Sequence, residues 1–273
     1  MYQKGFIKNG YNTYLMMIHI TVRSSIFAIM FAGIISLGAF SPLKAAYAHT
    51  FSGGESASFL ALVKVLQADL GLVQSNIASN VTLAQAHASA VADHLDTNTT
   101  KELAERNKLV TNDLTKSIAD LNQTIGTKPT PTEDVIKGKV DRVDALLQEA
   151  ITVRVEKNQL TNSTVKGQAL SDIVDEALER YREAYGIEEG KNAAGHNAIV
   201  NMADYQSAQA IAVKAQEIFN EAKQLTSTSA AITKVNNDLA LFKNDIDMKT
   251  AYDKVSAYVE NTLDPDIKAA FKL

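Results

Sequence analysis

Ser52 to Val73, SGGESASFLALVKVLQADLGLV, decides the fold. Ser52 and Glu55 form a capping box: the serine oxygen accepts from the third helical amide and the glutamate reaches back to the cap. Beyond it, Phe59, Leu62, Val63, Leu66, Leu70 and Val73 recur at steps of three and four. That spacing lays them on one face of an α-helix and fits no alternating strand. Gly71 and Asn80 are the points where this helix would bend or break.

The same period continues outward. Val81 to Leu95 is helical through His87 and His94, and Asp96-Thr97-Asn98 breaks it. Thr99 with Glu102 suggests a second capping box, followed by Leu103, Leu109, Leu114, Ile118 and Leu121. Gly126 to Pro131 is a turn, and Thr132 caps a helix carrying Val135, Ile136, Val140, Val143, Leu146, Leu147 and Ile151. Thr161 to Gly167 reads as a loop, before a stripe of Leu170, Ile173, Val174, Leu178, Tyr181 and Tyr185. Gly186 to Asn197 is a polar connector. Ala203 to Leu225 is an alanine-rich helix, Thr226 to Ser229 a break, and Ile232 to Ile246 another helix. Tyr252, Val255 and Val259 carry the period to Leu263, and a short tail follows whose Phe271 is placed to dock on the bundle. The expected fold is all-α, an antiparallel bundle of about six amphipathic helices. It fills residues 49–273, as one bundle or as two subdomains meeting near 186–197.

Ahead of the bundle, Ser24 to Phe40 is apolar and uncharged, with Lys4, Lys8 and Arg23 before it and Ala46-Tyr47-Ala48 after it. A basic segment, an apolar core and an A-x-A site make a secretory signal peptide over residues 1–48. The alternative is a membrane anchor, because the twenty uncharged residues from Ser24 to Leu43 suffice to span a bilayer. Either way the rest of the chain is expected outside the cytoplasm: secreted, pseudoperiplasmic or at the cell surface. Cleavage leaves 225 residues with 23 basic and 31 acidic side chains, a net charge of −8. An acidic chain of this kind is a poor partner for nucleic acid, which needs a basic face. There is no cysteine, so no disulfide, thiol nucleophile or thiolate metal site is available.

Several segments together carry a resemblance: HTFSGGESASFL from His49, NVTLAQAHASAVADH from Asn80, KELAERNKL from Lys101, ALLQEAITVRV from Ala145, and the terminal AFKL. They resemble a group of secreted helical proteins of ammonia-oxidising archaea with no defined activity. The resemblance implies a cell-surface or pseudoperiplasmic location in a copper-dependent organism, and it supplies no catalytic motif.

Chemistry is confined to a few residues. Cleavage after Ala48 would make His49 the amino terminus, offering an α-amine and an imidazole; with His87 or His94 it could form a histidine brace, a nitrogen ligand set suited to Cu(II). His87 and His94 share a helical face but lie about 10.5 Å apart along the axis, too far to hold one ion alone. The competing reading makes them partly buried polar residues facing a neighbouring helix. His196 and Met202 form a second, sparser copper-type pair. Asp172, Asp175, Glu176 and Glu179, with Arg180, Arg182 and Glu183, fall at helical spacing and read as a solvated face. No P-loop, nucleophile elbow or dinucleotide fingerprint occurs. Asn80, Asn98, Asn122 and Asn162 begin N-x-Ser/Thr sequons, of which Asn98 and Asn162 fall in expected loops and are the favoured glycan sites. The sequence therefore points to an extracytoplasmic helical protein that binds an envelope or surface partner, with copper as the candidate cofactor. Its alternatives are a copper-dependent redox enzyme built on His49 and a structural envelope protein. Contact with a membrane is expected only through residues 24–43, if they remain attached.

Overall fold

The computed structural model describes residues 52–95, 97–129, 131–188 and 198–273. His49, His196 and the apolar segment at 24–43 lie outside them. Among the described residues every regular element is helical, as expected.

Helix α1 (Gly53–Asn76) is the centre. Its capping box is formed, with the Ser52 amide donating to Glu55 and the Glu55 amide to Ser52 Oγ at 3.3 Å. Gly71 leaves it unbroken, and it stops only at Ile77. Phe59 through Leu66, Lys64 apart, is buried without interruption, so α1 is apolar on every side and not on one face. A helix of that kind belongs in a core or in a membrane. By length and composition α1 could cross a bilayer, but most of its surface is covered by other helices of the bundle.

Those neighbours are α2 (Val81–His94), α4 (Glu133–Arg154), α6 (Ser163–Ala184) and α7 (Met202–Lys223). Polar ties fix their directions. Gln67 donates to Asp144 at 2.6 Å and Arg154 to the Glu55 carbonyl at 3.2 Å, so α4 runs antiparallel to α1. Lys64 bonds Glu221 at 2.9 Å and Asn76 bonds Gln206 at 3.0 Å, so α7 is antiparallel to α1 too. Ser58 reaches Asp172 at 3.1 Å, and Val165 lies beside Gly53, which sets α6 parallel to α1. Helices α6 and α7, on either side of the connector, pack along each other more extensively than any other pair.

Helix α3 (Thr97–Ile125) pairs with α4 through Arg142–Asp113 at 3.4 Å and Lys139–Asp120. It contains a break that the apolar period conceals. Asn107 is non-helical (φ −153°, ψ 95°), and its side chain caps a new start by accepting from Leu109 and Val110 at 3.1 and 3.2 Å. Beyond it Leu109 is 77 % exposed, so that leucine is not the core residue its spacing suggests.

The expected loop from Thr161 to Gly167 is largely helix. After a single turn, α5 (Lys157–Leu160), Asn162 caps α6 by accepting from Thr164 at 2.9 Å and Val165 at 3.4 Å. Gly167 thus lies inside α6. It is the seat of the C-terminus: a Cβ there would stand 2.4 Å from Cβ of Phe271 and 2.5 Å from its Cγ.

Helix α8 (Ala230–Asp247) lies antiparallel on α7. The end of α8 and the turn after it are met by three tyrosine hydroxyls: Tyr205 to Ile246 and Asp247 at 3.2 Å, Tyr185 to Lys249 at 3.0 Å, and Tyr181 to Thr250 at 2.6 Å. The Tyr205 phenol satisfies carbonyls that a helix end leaves without partners. The chain closes with α9 (Tyr252–Tyr258), a π-turn (Val259–Leu263) and α10 (Asp264–Phe271). Pro265 has no amide to donate, and the widened turn just before it, where the Asp264 amide reaches back to Val259, lets the helix continue past it. Phe271 is buried edge-on against Phe219, with centroids 6.4 Å apart, which fulfils the expected docking of the tail.

Candidate functional site

The polar side chains with chemical capacity converge inside the bundle, where α1, α2, α6 and α7 meet. Asp69 of α1 has no exposed surface, although it sits in the most apolar helix among the described residues. Its Oδ1 accepts from Ser207 at 2.6 Å and faces His87 Nδ1 at 3.1 Å. His87 Nε2 faces Gln206 Oε1 at 3.0 Å.

The orientation of this chain follows from its far end. Asn76 donates Nδ2 to the Leu72 carbonyl at 2.9 Å, which fixes which end of its amide is nitrogen. The same Nδ2 donates to Gln206, so the Gln206 atom that meets both Asn76 and His87 is oxygen. Both ring nitrogens of His87 therefore meet oxygen atoms. Burial alone pushes the Asp69 carboxyl up. The hydrogen bonds from His87 and Ser207, with the charge of Arg180, outweigh burial and hold it below the usual carboxylate range.

Arg180 organises the second half. Its Nε donates to Glu176 at 3.0 Å, and its Nη1 to Glu183 at 3.2 Å and Asp204 at 3.4 Å. Burial opposes its charge, but Glu176, Glu183, Asp69 and Asp204 raise its pKa above the ordinary arginine value. Nη2 meets His94 Nε2. A guanidinium can only donate, so this nitrogen of His94 is the acceptor. Glu176 and Arg180 are 3 % and 4 % exposed. The solvated face expected for this part of α6 is thus corrected: the i,i+4 pair is present but points into the core.

Ser207, His87 and Asp69 are the residue types of an acyl-transfer triad without its geometry. Ser207 Oγ and Asp69 Oδ1 both approach Nδ1 of the histidine, at 3.3 and 3.1 Å. A triad needs nucleophile and carboxylate on opposite ring nitrogens, so that one is deprotonated while the other is oriented. Here the serine proton goes to the carboxylate, and all three groups are sealed from solvent. What the arrangement does is tie α1, α2 and α7 together.

The expected metal ligands are placed as follows. His87 and His94 both face the bundle interior, as the competing reading held, and each is engaged by its own partners. Met202 opens α7 and is 46 % exposed. Among the described residues no three His, Asp or Glu side chains are grouped to hold a metal ion. Sequence reasoning missed Asp69, Asn76, Asp204, Gln206 and Ser207. The one signal available was an aspartate in the middle of an otherwise apolar helix.

A second acidic group lies where α6 meets α10. Asp264 accepts from Ser171 at 2.8 Å and pairs with Lys268 at 2.5 Å. Asp175 is pushed up to about 7 by burial and by the negative charges of Asp264 and Asp172.

Comparison with protein-family models, with curated proteins and with solved structures gives no match to this chain.

Proposed function

We propose that this chain is an extracytoplasmic helical protein that acts by binding a partner through its outer surface. One observation carries the reading: among the described residues, His87, His94, Asp69, Glu176, Arg180 and Ser207 are each other's partners beneath the surface. Export is supported by the basic, apolar and A-x-A order of residues 1–48, and the net charge of −8 after cleavage suits a dispersed protein. The partner is an envelope or surface component.

Photo-crosslinking in intact cells tests this, with the reactive group placed at Leu109, Leu241 or Met248, which are 77 %, 54 % and 71 % exposed. A discrete adduct at one position, on a chain whose first peptide begins at His49, is the expected result. A chain retained inside the cell with residues 1–48 attached would refute the reading. Copper remains the second reading because the A-x-A site makes His49 a terminal residue. A Cu(II) titration against a form with one extra alanine before His49 decides it. One-to-one binding abolished by that alanine establishes the terminal amine as a ligand, and binding unchanged by it removes the brace.

A further inference from the structure

Of the four sequons, that of Asn98 lies within α3 and not in the expected loop, and the other three are presented in different ways. Asn122 lies within helical α3 and is half-buried, its Oδ1 accepts from Gln85, and the hydroxyl of Thr124 donates to the Asp120 carbonyl at 2.6 Å. Asn122 is thus held in helical backbone and partly covered by Gln85 of α2. Asn80 and Asn162 are exposed, and both stand outside the helical conformation, with φ of −152° and −95°.

Each of these two caps a helix with its oxygen alone. Asn80 Oδ1 accepts from Leu83 at 3.1 Å, and Asn162 Oδ1 accepts from Thr164 at 2.9 Å and Val165 at 3.4 Å. Among the described residues the nitrogen Nδ2, the atom that a sugar would modify, has no hydrogen-bond partner at either position. Modification there leaves the capping bonds in place. At Asn162 the bond to Thr164 closes a turn within the sequon, holding asparagine and threonine together. At Asn80 the third residue, Thr82, is exposed.

We infer that Asn80 and Asn162 are N-linked glycan acceptors of the exported protein and that Asn122 is not. The inference rests on the export reading above. The co-reactants are a polyprenyl phosphate- or diphosphate-linked oligosaccharide and its transferase. The Nδ2–C1 bond forms as the C1–O bond to the lipid phosphate breaks; the amide proton passes to a transferase base, and the lipid phosphate leaves. Thr164 Oγ1 donates to the Phe271 carbonyl at 3.1 Å in the finished fold, so transfer at Asn162 precedes docking of α10. The two acceptors lie near opposite ends of α1, about 36 Å apart for 24 residues at 1.5 Å each. Sugars would cover the ends of the bundle and leave its sides open to a partner.

The test is intact-peptide mass spectrometry of the full chain exported by a cell that has an N-x-Ser/Thr transferase, read together with its N-terminal peptide. The expected result is a glycan on Asn80 and on Asn162 and none on Asn122. Thr82→Ala and Thr164→Ala should each remove one glycan, while Thr82→Ser and Thr164→Ser keep both. An exported chain beginning at His49 with either asparagine unmodified, or with a glycan on Asn122, overturns the assignment and leaves the export reading standing. A chain retained inside with residues 1–48 attached overturns both.

Discussion

Replacing Gly167 by alanine should destabilise the protein, against the rule that alanine favours a helix over glycine. Gly167 is inside α6, where the exchange alone would gain roughly 1 kcal/mol. The added Cβ, however, falls 2.4 and 2.5 Å from Cβ and Cγ of Phe271, far inside contact distance. Those atoms sit at the root of the phenylalanine side chain, so no rotation of its far end relieves the clash; α10 must move. Overpacking of a tight core costs about 1–3 kcal/mol, and complete loss of the Phe271 ring about 3–5 kcal/mol. The net effect of Gly167→Ala is therefore a loss of about 2 kcal/mol, a melting temperature lower by roughly 4–8 °C for a domain of this size. Phe271→Gly, which removes both clashing atoms, should alone cost about 4 kcal/mol, the lost ring plus the poorer helix propensity of glycine. In that background the clash is gone, and Gly167→Ala should become neutral or stabilise by up to about 1 kcal/mol. Urea unfolding of the four proteins, followed by helical circular dichroism, completes the double-mutant cycle. If Gly167→Ala stabilises the wild-type chain, or costs the same with and without the Phe271 ring, the packing argument is wrong.

Three further outcomes follow from the buried charges. Asp175, raised from 3.8 to about 7, binds its proton more tightly folded than unfolded, so its ionisation costs stability as pH rises between those values. Asp175→Asn should leave stability almost unchanged at pH 4 and raise it by about 1–2 kcal/mol at pH 8, a figure discounted for the partial exposure of the group. An equal gain at both pH values in urea titrations would count against this. Asp69 has the opposite sign: its contribution is present above the unfolded carboxyl value and is lost as pH falls through the lower folded one. Asp69→Asn should cost roughly 3–5 kcal/mol at pH 7, because it breaks one side of a buried ionic network; a loss under 1 kcal/mol would refute that role. Nitrogen-15 spectra of the imidazoles should show no proton on Nε2 of His94, and a proton there would mean that Arg180 does not donate to it.

The helices were legible in the sequence because their causes are local. The capping box at Ser52 and Glu55, the break near Asn80 and the stripes on α4 and α8 depend on residues three or four apart, and all are present. The misreadings arise where a distant residue decides. Glu176 and Arg180 make the same i,i+4 pair on an outer or an inner face; only Asp204 and His94, from other helices, reveal which. Gly167 looked like loop because glycine breaks helices, and the reason for it, Phe271, lies at the other end of the chain. Asn107 caps a helix start within an apolar period that runs straight past it. Ser207 and Asp69 are 138 residues apart, and no spacing connects them.

The buried network has a consequence that the single substitutions do not reach. Helix α1 is apolar on all sides and built largely of alanine, leucine and valine, so hydrophobic contact alone barely distinguishes one rotation about its axis from the next. Asp69 removes much of that degeneracy from inside the core, beside the ties that Lys64, Gln67 and Asn76 make to neighbouring helices. Turning α1 by one residue, about 100°, would leave its carboxylate without His87 and Ser207 in an apolar setting, at a cost of several kcal/mol. Stability and uniqueness can therefore be separated. Asp69→Leu, His87→Leu and Ser207→Ala together replace ionic and polar groups by apolar ones, while Glu176, Glu183 and Asp204 still neutralise Arg180. Such exchanges are commonly neutral or stabilising by about 1–4 kcal/mol, in contrast to the loss from Asp69→Asn. The triple variant should thus keep its helical content and its resistance to urea but lose dispersion in its methyl and amide spectra as α1 samples more than one rotation. A variant as stable as the parent with equally dispersed spectra would show that shape and those other ties set the register of α1, and that the network is a consequence of the packing and not its cause.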